Sequence, residues 1–564
     1  MTKGDFAMRK GTSTGAKRLV KGLETAGAEL LFAYPGGANL PIYEALARSS
    51  IKTVLARHEQ GAAHMADGYA RASGRPGFCM ATSGPGATNL VTGIATAFMD
   101  SSPVIAITGQ VSSRLIGNDA FQEVDITGIT IPVTKHNYLV QLPEDILPAI
   151  EEGIYLATTG RKGPVLIDVT KDAQQAEFSV DAEVRKLLEG YSPTIQGHAG
   201  QIKRAATMIK EARRPVVIAG GGIALSDAFN AFAEFAGTLG APVVHTLMGK
   251  AAFDNHNRLN LGLFGYHGRW AANKAISESD LIIAAGARFG DRSTGNPDVF
   301  APGAKIIHID IDPAEIGKNV KAYLPIVGDA ADILPRLTAL VGMVDNKAWT
   351  EGLVEASRSH PLPSGEGRFS TPLVLRELQR FHPDPILTTD VGRHQIYACQ
   401  YFPVAGGRNF ITSGGLGTMG FGLPAAMGAK LARPERDVVL VSGDGSFIMN
   451  IQELACAAAL GIDLTAVVIN DGRLGMIQQL QESFYGSRFD ASRIGGSMSF
   501  AAAADAFGCR GFRVSNAAEL TAALQTAAGM PGTKVIECMV EDEQNVYPMM
   551  TGSILTDLEE GETA

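Results

Sequence analysis

Residues Asp437–Phe447, "DVVLVSGDGSF", decide the fold. The run Val438–Val441 is apolar at every position and stops at Gly443-Asp444-Gly445, after which an Ala-rich helical stretch begins. A strand apolar on both faces belongs to a parallel sheet covered by helices on either side. The turn sets Asp444 at the carboxyl edge of that sheet, where ligands bind in such folds. Beyond Gly445 and twenty-four intervening residues, a second apolar strand, "TAVVIND", runs out into Asn470-Asp471-Gly472 and brings another carboxylate to the same edge. The glycines, with Ser446 beyond them, let backbone amides approach an anion, and the helix start favours a phosphate. Two oxygen ligands suit Mg²⁺, which completes its shell with diphosphate oxygens and water. The competing reading is a pair of sharp turns whose Asx side chains bond their own backbone.

Working outward, short Val/Ile-rich runs alternate with Ala-rich stretches throughout the 564 residues, the rhythm of βα units. The rhythm falls into three blocks. Block 12–175 carries "KTVLA", "GFCMAT", "PVIAITG" and "PVLIDVT", and the polar "EGYSPTIQGHAGQ" follows as a linker. Block 198–345 carries "RPVVIAGGG", "APVVHTL", "DLIIAAGARF" and "AKIIHIDID", and the Pro/Gly/Ser-rich "SRSHPLPSGEGRFS" bounds it. Block 368–550 carries "PILTTDVG", "DVVLVSGDG", "TAVVIND" and "KVIECMV". The expected class is α/β, with three doubly wound parallel-sheet domains. No short repeat is visible, so the likeness of the blocks is architectural. The acidic tail "TDLEEGETA" is expected to fray.

Composition excludes several classes. A formal net charge of -9 leaves no basic surplus to neutralise phosphates, which argues against nucleic acid as a partner. Five scattered cysteines form no CxxC pair, so they read as buried apolar groups in a reducing compartment. The N-terminus lacks a signal-peptide core and no apolar run reaches membrane-span length. The expectation is a soluble cytoplasmic protein with no membrane partner.

Beyond these physical readings, Gly443-Asp444-Gly445 followed at this spacing by Asn470-Asp471 resembles the thiamin diphosphate-binding motif. The resemblance implies Mg²⁺ held by Asp444, Asp471 and the backbone carbonyl of Arg473. "ARHEQGAAHMADGYARASG" is similar to the stretch that supplies the family's activating acid, here Glu59, acting across a subunit interface and desolvated so that it shares a proton with the cofactor's pyrimidine. The bland reading of Glu59 is a helix-start carboxylate paired with Arg57. "YPGGANLPIYEAL", "TSGPGATNLVTGIATAFMDSSPVIAITGQV", "IGNDAFQEVDI", "TKHNYLV" and "SGGLGTMGFGLPAA" resemble the catalytic subunit of the acetohydroxyacid (acetolactate) synthases over nearly the whole chain.

That resemblance implies a thiamin diphosphate fold twice, flanking a Rossmann-like central domain. It implies Gly37, Phe121 and Gln122 lining the reaction site, Met419 supporting the bent cofactor, and Lys171, Met476 and Leu480 on the substrate side. Phe121 and Met419 also read as ordinary core residues. Val391, Gly392, Arg393, His394 and Gly417 are implied around the diphosphate. Gly220, Gly221, Gly222, Thr246, Leu247, Gly265, His267, Arg288, Arg292, Asp310 and Asp329, together with Arg161, resemble the family's elements for FAD, which is bound without being oxidised or reduced. Taken alone, the glycine triplet is a tight βα turn. The implied reaction decarboxylates pyruvate and joins its two-carbon remainder to a second 2-keto acid, pyruvate or 2-ketobutyrate, in the first common step of branched-chain amino-acid biosynthesis. The implied partners are further copies of the chain, as dimer or tetramer with the cofactor between the first block of one subunit and the third of another, and a small regulatory subunit.

The chain departs from the family pattern at several positions. Leu480 stands where most members have Trp, Asp471 where many have Asn, and Arg393 where Gln is usual. Thr170 replaces a Pro before Lys171, and Ser112 stands where plant members have Pro. Leu480 is expected to weaken preference for 2-ketobutyrate and to confer some tolerance of the family's herbicide inhibitors. The rivals are another 2-keto acid carboligase or decarboxylase on the same scaffold, and a scaffold protein that has lost catalysis. Intact Glu59 disfavours glyoxylate carboligase, and the flavin-like segments disfavour the fermentative acetolactate synthases.

Overall fold

The computed structural model describes residues 12–179, 189–365, 367–495, 498–540 and 545–549; the acidic tail lies outside them. Three six-stranded parallel sheets and one two-stranded antiparallel pair, Thr12–Thr14 with Glu177–Ser179, make up the sheet structure of the described residues. The α/β class read from the sequence therefore holds. Every quoted apolar run lies on a strand.

In spatial order, the N-terminal sheet runs Lys52–Leu55, Leu30–Ala33, Gly77–Ala81, Val104–Gln110, Val165–Thr170, His136–Val140. The C-terminal sheet runs Phe410–Ile411, Ile386–Thr389, Val438–Gly443, Thr465–Asn470, Lys534–Met539, Arg510–Val514. Numbered along the chain within each sheet, both orders are 2-1-3-4-6-5. The central sheet runs Asn260–Leu263, Val243–His245, Pro215–Ala219, Leu281–Ala285, Lys305–Asp310, Leu324–Val327, which is 3-2-1-4-5-6, the order of dinucleotide-binding sheets. The outer blocks are thus alike in topology, and the middle one is not.

Burial on both faces explains the all-apolar strands. Val217 and Ala219 pack into one core cluster of the central sheet, while the intervening Val216 and Ile218 pack into another. The chain forms two compact units, one ending at Ser192 within the expected linker, the other beginning at Pro193 and also counting Arg71–Gly74. The Pro/Gly/Ser-rich stretch before Thr371 does not part the second unit. Lys250 Nζ donates to the Cys399 carbonyl at 2.8 Å, and Gln400 Nε2 donates to the His267 carbonyl at 2.8 Å.

Candidate active site

Asp390, Asp444 and Asp471 directly follow neighbouring strands of the C-terminal sheet. Asp390 is fully buried and was not singled out from the sequence. Its carboxylate accepts the amide hydrogens of Val391 (2.9 Å), Gly420 (2.9 Å) and Gly422 (3.1 Å), so one side chain fixes two loops. Burial lifts its pKa to about 6. Asp390 directly follows its strand as Asp444 does, but its partners Gly420 and Gly422 lie 30 and 32 residues on, outside any local pattern. Ser446 Oγ donates to the Val391 carbonyl at 2.7 Å. The wedge of Val391–His394 against Gly443–Ser446 sits at the topological switch point of the sheet, between strands 1 and 3.

Glycine is required here by close approach. A Cβ on Gly443 would sit 2.8 Å from His394 Nδ1, and one on Gly392 (φ 148°) 2.9 Å from His394 Cε1. The imidazole is buried, its Nε2 has no hydrogen-bond partner, and desolvation pushes its pKa down to about 3. A buried polar atom left open is costly, so it marks a position a ligand would fill. Asp444 receives the Gly445 amide at 2.8 Å and the Gly472 amide at 2.9 Å, which locks the two acidic turns together. Burial, then the charge of Asp471, lift Asp444 to about 7. Burial raises Asp471 as well, opposed by Arg393, whose Nη2 donates to Asp471 Oδ2. Arg473 sits in a clamp in which Gly472 O accepts from Ile494 N and Leu474 N donates to Ser492 O.

Met419 lies beside the turn: its Cε would be 3.6 Å from a Cβ on Gly445. Gly417 adopts φ 69° and lies next to Val391. Met476 and Leu480 fall one turn apart on the helix Gly475–Phe484, both half-buried. A cavity of about 470 Å³ opens on Asp444 and Asp471, lined also by Arg473, Ile494 and Arg513. Among the described residues no cluster of three or more His, Cys, Asp or Glu could hold a metal. A hard cation on the Asp444–Asp471 edge would therefore need backbone, phosphate or water oxygens to complete its shell.

The carboxyl edge of the N-terminal sheet gathers a second set within the first unit. Glu59 opens the helix Glu59–Ser73, and its Oε2 accepts from Asn89 Nδ2 at 2.9 Å. It is half-buried in the single chain, short of the desolvation expected of it. Arg57 Nη1 donates to the Leu55 carbonyl. Gly86 lies under the carboxylate, where a Cβ would be 3.3 Å from Oε1. Gly84 (φ 59°) precedes the helix Pro85–Met99 and makes room for the Gln122 backbone, which would lie 2.8 Å from a Cβ there. Gln122 itself has φ 60°, and Phe121 is 89% exposed, so it is no core residue of the single chain.

The loop bearing these residues hangs on a network the sequence did not disclose. Gln110 Nε2 donates to the Val124 carbonyl and to Asp168 Oδ2, both at 2.9 Å, and Thr108 Oγ1 donates to Asp168 Oδ1 at 2.7 Å. Desolvation pushes Asp168 up to about 7. Gly37 is exposed in the loop after Leu30–Ala33, where Asn39 Oδ1 accepts the Gly36 amide and Thr82 Oγ1 the Ala38 amide. Lys171 begins the helix Lys171–Gln175 after Thr170, and Asp172 beside it accepts the Ser113 amide at 3.0 Å. That bond ties the start of the Lys171–Gln175 helix to the loop after Ser112.

Residues 13–129, 202–337 and 390–538 match the N-terminal TPP binding, central and C-terminal TPP binding domains of the thiamine pyrophosphate enzymes. A probable acetolactate synthase large subunit of Methanocaldococcus jannaschii is 45% identical over 96% of this chain and 95% of its own length. An acetolactate synthase large subunit of Corynebacterium glutamicum is 45% identical over 97% and 90%. The large subunit IlvB1 of Mycobacterium tuberculosis is 44% identical over 96% and 91%. The chain belongs to the acetolactate synthase family of thiamine pyrophosphate enzymes.

In this acetolactate synthase-family chain, most of the residues set aside for FAD lie at the carboxyl edge of the central sheet. Gly220–Gly222 follow strand Pro215–Ala219, Thr246 and Leu247 follow Val243–His245, and Gly265 follows Asn260–Leu263. Arg288 and Arg292 follow Leu281–Ala285, Asp310 ends Lys305–Asp310, and Asp329 follows Leu324–Val327. Several also serve the fold. A Cβ on Gly220 would collide with the Gly286 carbonyl, and one on Gly222 would lie 2.6 Å from Gly286 Cα, so these two glycines are packing requirements of adjacent turns. Thr246 caps Gly249, and Asp329 caps the helix Ala330–Val341 through the Ala331 amide. His267 is buried with Nδ1 3.0 Å from the Pro548 carbonyl. Arg292 is exposed, its guanidinium 5.0 Å from the centre of the Tyr266 ring. Arg161 lies in the first unit, where Nε donates to Ser101 Oγ at 3.0 Å.

Proposed function

We propose that this chain is the catalytic large subunit of an acetolactate synthase, which decarboxylates pyruvate and joins the two-carbon remainder to a second pyruvate or to 2-ketobutyrate. The observation that carries the reading is the switch-point edge of the C-terminal sheet: two interlocked acidic turns beside a buried imidazole whose Nε2 is open. It stands in a chain 45% identical along nearly its whole length to acetolactate synthase large subunits. Thiamin diphosphate supplies the electron sink that pyruvate decarboxylation needs.

Asp444, Asp471 and the carbonyl of Arg473 would hold Mg²⁺, and Val391–His394 with Gly443–Ser446 would receive the diphosphate. The donor set fits, being oxygen-only and short of ligands by the number that a diphosphate and water supply. Met419 and Gly417 flank the same edge. Glu59, with Oε2 bonded by Asn89, would keep Oε1 for a proton shared with the aminopyrimidine. Gly37, Phe121, Gln122 and Lys171 would line the substrate side, with Met476 and Leu480 on the acceptor. The bare aromatic face of Phe121 fits a homodimer or homotetramer, in which another copy covers it.

FAD would bind along the central carboxyl edge as a structural cofactor, with Arg288 and Arg292 toward its phosphates and Asp310 toward ribose. The support is the 3-2-1-4-5-6 strand order. A small regulatory subunit belongs to the same reading, since the relatives are named large subunits. Purified protein supplied with equimolar pyruvate and 2-ketobutyrate, thiamin diphosphate and Mg²⁺, with and without FAD, tests it by mass spectrometry. Acetohydroxyacids that require FAD are the expected product; their absence from cofactor-loaded dimer would overturn the assignment.

A further inference from the structure

The guanidinium of Arg393 is bonded to Asp471 Oδ2, and both side chains are more than nine-tenths buried, 8% and 9% exposed. The second oxygen of Asp471 accepts the Arg473 amide at 3.2 Å. Space for the guanidinium comes from a missing side chain. A Cβ on Gly475, the residue that opens the Met476–Leu480 helix, would overlap Arg393 Nε, Nη2 and Cζ. Asp444 stands alongside, and the charge of Asp471 adds to burial in raising the cost of ionising it. Two carboxylates at one buried edge repel, and the guanidinium of Arg393 offsets one of them.

We propose that Arg393 is the resident counter-cation of the metal site, a positioning residue that sets the balance between metal and diphosphate. This rests on the reading of Asp444 and Asp471 as the metal-binding pair. With both carboxylates ionised, as metal ligands must be, they and the Arg393 guanidinium sum to one negative charge. Arg393 therefore weakens capture of a bare divalent cation. Once that cation is bound, the same positive charge favours the anionic diphosphate. The pair makes metal and cofactor bind as a unit, and holds Asp471 in its ligating position beforehand.

The test is a charge cycle on the full-length protein: Arg393→Gln, Asp471→Asn, the double variant, and Arg393→Lys. Two readouts are taken, binding of Mn²⁺ to cofactor-free protein by electron paramagnetic resonance, and binding of thiamin diphosphate at saturating Mg²⁺ by calorimetry. Arg393→Gln is expected to tighten Mn²⁺ and weaken thiamin diphosphate, each by about tenfold. Asp471→Asn is expected to weaken Mn²⁺, the double variant to return near wild type, and Arg393→Lys to stay near it. Should Arg393→Gln not fold, the double variant must still bind Mn²⁺ more tightly than Asp471→Asn. Parallel shifts of both ligands in Arg393→Gln, or a double variant no tighter for Mn²⁺ than Asp471→Asn, would overturn the role of Arg393. If wild type binds no thiamin diphosphate, the reading of the site itself falls.

Discussion

Leu480 and Glu59 are the positions in the proposed site where a single side chain would decide the chemistry. Leu480 lies half-buried one turn from Met476, at the edge proposed for the acceptor. An aromatic plane there would enlarge apolar contact with the longer acceptor. Leu480→Trp is expected to raise the ratio of 2-aceto-2-hydroxybutyrate to acetolactate by about 10- to 200-fold, the worth of roughly 1–3 kcal/mol. An unchanged ratio in a mixed-substrate assay would remove Leu480 from the acceptor pocket. Glu59→Gln keeps the Asn89 contact through its amide oxygen and deletes the proton. A loss of about 10²-fold or more in turnover is expected, with thiamin diphosphate affinity retained in calorimetry. Both positions were singled out in the sequence through the family resemblance of the local stretches that hold them; Glu59 opens its helix and Leu480 lies within one. Asp390, Asn89 and Gly475 were not singled out. Their roles depend on partners 30 to 82 residues away (Gly420, Glu59, Arg393), which no local pattern encodes.

At the scale of elements, apolar runs marked interior strands and missed most edges. Five unmarked strands, His136–Val140, Asn260–Leu263, Leu324–Val327, Phe410–Ile411 and Arg510–Val514, are sheet edges with a neighbour on one side only. Edges need fewer apolar positions, so their pattern dissolves into the surrounding loops. The sixth unmarked strand of the three large sheets, Leu30–Ala33, is interior but has only four residues. The strands Val104–Gln110 and Val165–Thr170 were both found, and only their pairing brings Gln110 onto Asp168 and Val124. The buried Asp168 keeps its proton to about 7 when folded, against 3.8 ordinarily. Its pKa is raised, so the folded state loses stability as pH climbs between those values, and the loss is complete above the upper one. In Asp168→Asn the amide can donate to Thr108 and accept from Gln110, without a charge to bury. Its melting temperature relative to wild type should therefore rise between about pH 5 and pH 8; a constant offset across that range would show that Asp168 does not titrate there.

For the whole molecule, the second unit spans two sheets, and Lys250 is one of its internal ties. The ammonium is fully buried, donates to Cys399 O and to Asn255 Oδ1 at 2.9 Å, and desolvation lowers its pKa to about 8. Lys250→Met removes the donor to Cys399 O and leaves Asn255 Oδ1 only the Val404 amide at 3.2 Å. A cost of about 1–3 kcal/mol is expected, read as earlier unfolding of this unit in a thermal melt, while a melt that overlays wild type would deny it a structural role. The sequence by itself determined the α/β class, the three-block rhythm and the two acidic turns at strand ends. Each of these is a local property: a strand covered on both faces must be apolar throughout, and a carboxylate at its end needs only glycine neighbours to be exposed to a ligand. Only the tertiary structure decided the shared 2-1-3-4-6-5 order of the outer sheets, the 3-2-1-4-5-6 order of the middle one, and the union of the last two sheets in one unit. It also decided that Arg393 meets Asp471. Strand order and buried ion pairing come from packing between segments far apart in the chain, and their free energy depends on neighbours that no local run of residues specifies.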